Sequence, residues 1–312
     1  MELIELENKL RTIYTNSYQK KIVYELKELQ ENCKLNYAII KGIPLSLMAY
    51  NQPFARVSND VDILVSRSNL KDIENALLKE GYFQPHASSI YSKKRSDKIL
   101  LLSSSHQLLS YVKMFDDFYY VVDLNFDIFW GEYEGKRIDI EEFLSDTVEI
   151  EICDVKMKTL PPIKALIQLI LHHYKDMNSI FLLATRKSIK YDMFKDIYHL
   201  LKNNLDTIPI DKLYAMSEKY EIIPYVFYVL YYTGQVFDDD ILKQYIDAFK
   251  TPEGEALLNC YGLCAKERKE WKCDFKTRLE THDLYVLIKN DLTKKDQEKI
   301  AINKKIFMGV SE

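Results

Sequence analysis

Asp60-Val61-Asp62, at the head of the apolar run Ile63-Leu64-Val65, constrains this chain more than any other stretch. Side chains alternate along a strand, so two acids two residues apart point to the same face. The apolar residues between and after them predict a mostly buried strand that holds two carboxylates side by side. Adjacent carboxylates repel unless a cation sits between them. An oxygen-only, acid-rich set of this kind suits Mg²⁺. The plain alternative is that Asp60 caps a turn and Asp62 faces water on an ordinary edge strand.

The surroundings argue for the chemical reading. Tyr37 to Ile40 reads as an apolar strand, and Lys41-Gly42 follows it. A helical stretch from Pro44 to about Tyr50 comes next, broken by Asn51-Gln52-Pro53. Arg56-Val57-Ser58-Asn59 then leads into the two acids. A third acid, Asp123, lies in the apolar stretch FYYVVDLNFDIFW. Asp127 lies four residues beyond Asp123 and shares its face if the strand continues.

Strand, Gly, helix, Arg/Ser, D-x-D strand and a later lone Asp, in that order, resemble the nucleotidyltransferase superfamily that includes DNA polymerase β. In closer detail, LNYAIIKG, RVSNDVDILV and VVDLNFDIF resemble the uncharacterised nucleotidyltransferase family. Its pattern is roughly K-G, then R-x-x-x-D-I-D-L-L-V, then V-D-L-H-W. The resemblance covers the first half of the chain and, more weakly, the second. It implies an α+β fold: a polymerase β-like domain of mixed sheet and helices, followed by an α-helical domain.

The same resemblance implies a metal site of Asp60, Asp62 and Asp123 for Mg²⁺ or Mn²⁺, with Asp123 nearest the acceptor hydroxyl. In-line phosphoryl transfer needs such carboxylates, because the metal neutralises phosphate charge and activates the attacking oxygen. Asp123 is preferred over Asp127 because it fits the V-D-L of the family. Gly42 would bring a strand-to-helix turn against the triphosphate, at a helix N-terminus that favours anions. Lys41 and Arg56 are the expected phosphate cations, with Ser58 beside them; each would otherwise be a solvated surface residue. His172 and Asp196 fall where the family has a His and a later Asp-Leu, implying a place along the nucleotide cleft. A hydrogen bond between helices is the competing role for both. The sequence departs from the family at Ile43-Pro44, where a Ser or Gly-Thr is usual, and at Asn125-Phe126, where His-Trp is common.

Composition sets the outer bounds. A chain of 312 residues accommodates two domains. Only 8 glycines argue against a Gly-rich phosphate loop. The net charge of −4 carries no basic footprint for tight nucleic-acid binding. Five cysteines without a C-x-x-C pair read as reduced thiols, zinc being a minor reading for Cys260, Cys264 and Cys273. The stretch MELIELENKL has neither a basic start nor a long apolar core, so no signal peptide is expected. No apolar run has the length of a membrane span. A cytoplasmic location follows as an expectation.

Residues 3 to 31 carry helical periodicity. A helix is expected from Ser68-Asn69-Leu70 through Lys79, closed by Gly81. Strands are expected within residues 90–129, the last two joined at Asp116-Asp117, and a further hairpin turning near Asp154. Pro161-Pro162 marks a boundary, beyond which the chain reads as helices at about 180–203, 210–219, 222–233, 238–249, 253–266 and 275–289. The expected domains are 1–158 and 159–312.

The expected reaction is transfer of a nucleoside monophosphate from an NTP, with ATP favoured, to a hydroxyl of a small molecule, peptide or protein. Pyrophosphate is released. A second reading is a toxin-type nucleotidyltransferase acting on tRNA or protein, because Arg56, Ser58, Asp60 and Asp62 fit its R-x-S-x-D-[IL]-D spacing. A third is a degenerate domain that binds nucleotide without catalysis; the presence of all three acids argues against it.

Overall fold

A computed structural model describes residues 17–27, 36–56, 58, 60–85, 105–115, 118–128, 138–185 and 188–308. They divide into two compact units. The first takes in 1–85, 107–126 and 139–161, and the second 86–106, 127–138 and 162–312. The chain is α+β, with a mixed six-stranded sheet in the first unit and mainly helices in the second.

In the first unit, helix α1 (17–27) buries Ile22, Val23 and Leu26 at helical spacing. The rest of the predicted 3–31 helix lies outside the described residues. β1 (Tyr37–Ile40) and α2 (Gly42–Tyr50) are followed by β2 (Val61–Val65) and α3 (Leu70–Lys79). Gly81, at φ +85, ends α3 as expected, and the Tyr82 N–H returns to the Leu77 carbonyl. β3 (Tyr111–Phe115) and β4 (Phe118–Asn125) form the expected antiparallel pair, with Phe115 opposite Phe118. The Asp116-Asp117 turn and the apolar run before Ser105 lie outside the described residues. After α4 (Ile140–Phe143), β5 (Val148–Ile152) and β6 (Val155–Thr159) make the second hairpin. Its turn is Cys153-Asp154, both with positive φ, as a two-residue hairpin requires.

The strand order is β3-β4-β2-β1-β6-β5. β2 therefore lies inside the sheet, antiparallel to β1 and parallel to β4, and all five of its residues are buried. That burial explains the unbroken apolar run after Asp62. Asp60 lies just before β2 rather than in it, so the D-x-D pair straddles the strand's first residue.

The second unit is built around α5 (Pro162–Asn178), which is buried on nearly every side. α6 (Ile180–Thr185), α7 (Tyr191–Lys202), α8 (Ile210–Lys219) and α9 (Ile223–Val236) follow. Then come α10 (Asp240–Phe249) and α11 (Pro252–Leu257). α9 packs against α5, α7, α10 and α11. Three expected helices are corrected. The 180–203 stretch forms two helices, α6 and α7, with 188–190 in neither. The 253–266 stretch is helical only to Leu257, then forms a small antiparallel pair, β7 (Cys260–Tyr261) and β8 (Lys269–Glu270). Gly262, at φ +102, lies so close to the Glu267 carbonyl that a side chain there would clash, so the turn after β7 requires a glycine. The 275–289 helix is likewise interrupted, into α12 (Phe275–Glu280) and α13 (Tyr285–Ile288), before α14 (Lys294–Met308). No helix among the described residues is long and apolar enough to cross a membrane.

Candidate active site

Three neighbouring strands bring the acids together. Asp62 is the Cα partner of Asp123 on β4 and of Ile40 on β1. Lys41 directly follows Ile40, so its side chain starts one residue from the same row. Its ammonium lies 3.0 Å from Asp62 Oδ1. Asp62 is 7% exposed, and so sits at the buried end of the cluster.

Each acid has its own surroundings. The Ser58 hydroxyl donates to the Asp60 carbonyl at 3.0 Å and to Asp60 Oδ1 at 3.2 Å. Ser58 thus orients Asp60. Burial pushes the Asp60 carboxyl up from its ordinary value, and the Asp62 charge adds to this. Lys41, the Ser58 bond and Arg56 pull it back down. Burial likewise pushes Asp123 up, to about 6, with Asp62 and Asp60 adding repulsion and Ser110 and Lys41 opposing. Asp123 Oδ1 is buried with no hydrogen-bond partner among the described residues. Crowded, desolvated carboxylates with an unsatisfied oxygen are the donor set that a hard divalent cation fits.

Asn125 holds the cluster from below. Its Nδ2 donates to Asp62 Oδ1 at 3.1 Å and to the Asp123 carbonyl at 3.2 Å, and the residue is 2% exposed. Sequence reasoning marked Asn125 only as a departure from His-Trp. The signal for its role was its spacing, two residues past Asp123 on the same strand face. Asp127 lies beyond the end of β4, where the alternation stops, and its Oδ1 accepts the Ile128 N–H at 2.9 Å.

The turn into α2 is strained. Lys41 adopts φ 58°, ψ −147°, a region that residues with a side chain rarely enter. Gly42 follows at φ +46, and a Cβ there would come 3.2 Å from Ser58 Oγ. α2 has no side-chain cap and no acid in its first turn, which leaves N–H groups of that turn directed past Lys41. Ser46, inside α2, fixes the loop that carries Arg56. Its hydroxyl donates to the Gln52 carbonyl and accepts the Arg56 N–H.

His172 and Asp196 belong to the second unit. Asp196 is buried on α7. His172 Nε2 lies 3.4 Å from Asp176 Oδ2, and potential ligand atoms of His172, His173 and Asp176 all fall within 4.8 Å of one another. That trio could hold a metal, but the buried Lys175 already places an ammonium 3.4 Å from His172 Nδ1 and 3.7 Å from Asp176 Oδ1. It also reaches His106 Nε2 at 3.1 Å.

Residues of the first unit thus supply an all-oxygen acid cluster flanked by two cations and a helix N-terminus. A search of curated proteins returns no match. The family comparison agrees with the order of motifs along the strands: the uncharacterised nucleotidyltransferase model matches residues 4–238, well over half of the 312 residues, and the chain belongs to that family.

Proposed function

We propose that this protein transfers a nucleoside monophosphate from an NTP, with ATP favoured, to a hydroxyl of a small molecule, peptide or protein, releasing pyrophosphate. The family implies a nucleotide substrate, and nucleotidyltransferases usually use divalent metals. The observation that carries the reading is the row Ile40, Asp62, Asp123 across three adjacent strands, with Lys41 one residue past Ile40 and Asp60 two residues before Asp62.

In this reading Asp60, Asp62 and Asp123 hold Mg²⁺ or Mn²⁺, which would neutralise triphosphate charge and make the acceptor oxygen more acidic. The residues of the chain do the positioning. Ser58 and Asn125 fix Asp60 and Asp62. Lys41 and Arg56 meet phosphate charge, and the Gly42 turn lets backbone N–H groups approach it. Asp123, whose Oδ1 is buried without a hydrogen-bond partner among the described residues, would act nearest the acceptor hydroxyl. The acidic net charge of −4 supports a small or peptidic acceptor over a long nucleic acid. The domains would be 1–158 for transfer and 159–312 for the helical region.

A thermal-shift titration with Mg²⁺ and each of the four NTPs tests this directly. A ligand at a hundredfold excess over its Kd stabilises by about 2.7 kcal/mol. Asp62→Asn is expected to remove most of that gain. No shift with any NTP would contradict nucleotide binding.

A further inference from the structure

We propose that Lys41 competes with divalent cations for Asp62, so that the acid cluster takes a bare metal weakly and takes it tightly only after an anionic substrate draws the lysine away. This rests on the metal-site reading above and adds an order of binding to it. Lys41 Nζ sits 3.0 Å from Asp62 Oδ1, with only 11% and 9% of the two side chains exposed. Its charge also acts on Asp60 and Asp123. One ammonium thus contacts Asp62 and acts electrostatically on the other two acids.

The backbone holds the lysine there. The Ile40–Asp62 register leaves Lys41 one residue past the row of acids. Its φ of 58° and ψ of −147° are a conformation that a glycine would adopt freely and a lysine adopts at a cost. Strain kept at such a point marks a side chain whose position matters. The same residue is the N-cap of α2, whose first turn lacks both a capping side chain and an acid. An anion at that helix end would lie beside Lys41 and offer its ammonium a second partner. Metal and anion would then bind with positive coupling, each strengthening the other.

The test is Mn²⁺ titration of the full chain without nucleotide, with free Mn²⁺ read by electron paramagnetic resonance. Wild type is expected to bind weakly, and Lys41→Gln about tenfold or more tightly, because one positive charge leaves the ligand set. Lys41→Gly removes the charge and also relieves the backbone, so it guards against a folding failure and is expected to gain affinity as well. Lys41→Arg keeps the charge and is expected to stay weak. Adding Asp62→Asn to Lys41→Gln is expected to abolish the gain. If the two neutral variants bind no more tightly than wild type, while Asp62→Asn still loses binding, the lysine proposal falls and the metal site stands. If no variant binds Mn²⁺ at all, both fall.

Discussion

Asn125 Nδ2 donates to Asp62 Oδ1 at 3.1 Å, across the parallel strands that carry the two residues. The bond pins an acid that Lys41 also contacts, so Asp62 is held from two sides. Asn125→Ala would remove one hold, leaving Lys41 as the remaining donor to Asp62 Oδ1. The expected stability cost is about 1–2 kcal/mol. Turnover is expected to drop about tenfold or more through misplacement of Asp62. Chemical denaturation beside a turnover assay checks both. An unchanged rate would leave Asn125 a packing residue.

Asp123 gives a pH dependence with a definite sign. Its carboxyl rises from 3.8 to about 6 in the folded chain. Between those values the folded state holds a proton that the unfolded state has released. Stability of the metal-free protein therefore falls as pH rises from about 4 to about 6, then levels off. The full effect is of order 3 kcal/mol. Asp123→Asn is expected to melt higher than wild type at pH 7.5 in chelator, and to match it near pH 4. A variant less stable than wild type at pH 7.5 would contradict this.

Gly42 lies at a close approach in the turn into α2. Gly42→Ala places a Cβ at positive φ and 3.2 Å from the Ser58 Oγ that orients Asp60. About 1 kcal/mol or more of destabilisation is expected. A weaker NTP-dependent thermal shift should accompany it, and an unchanged shift would show that the turn tolerates displacement.

Arg278 in α12 is a structural counterpart. It is 2% exposed and lies about 5 Å from the rings of Tyr232 and Trp271, with Nη2 donating to the Tyr232 hydroxyl. Among the described residues, cation–π contacts and a hydrogen bond serve Arg278 in place of a carboxylate partner. Arg278→Ala is expected to cost about 3 kcal/mol or more, through lost packing and a Tyr232 hydroxyl left without its donor. Urea unfolding measures this, and a loss below about 1 kcal/mol would contradict it.

Much of this was legible in the chain because buried strands write their neighbours into the sequence. The apolar run after Asp62 signalled an interior strand, and Gly81 signalled the end of α3. Val122-Asp123-Leu124 signalled an acid in an apolar strand, while its register opposite Asp62 is set by how β2 and β4 pair and is not written in the chain. Other features were not legible. Lys41 reads as a phosphate cation, and its ion pair with Asp62 depends on a positive φ that the sequence does not announce. Ser46 and Ser58 are the same residue type, yet one fixes a loop and the other an acid, a choice made by packing alone. The 253–266 stretch leaves the helix at Leu257 and turns at Gly262 against the Glu267 carbonyl, a tertiary contact that local propensity does not announce. The interrupted helices show the same limit, since local propensity continued where tertiary packing turned the chain.

The central claim is that Asp60, Asp62 and Asp123 form one transfer site with separable duties. Pyrophosphate release from labelled NTP, measured on Asp62→Asn, Asp123→Asn and Asp127→Asn beside a nucleotide-binding titration, tests it most directly. Asp62→Asn is expected to weaken both binding and turnover. Asp123→Asn is expected to keep Mg²⁺–NTP affinity within a few fold while turnover falls by orders of magnitude, and Asp127→Asn is expected to retain turnover. Normal turnover in Asp123→Asn with a dead Asp127→Asn would contradict the account and assign the reaction to the other acid.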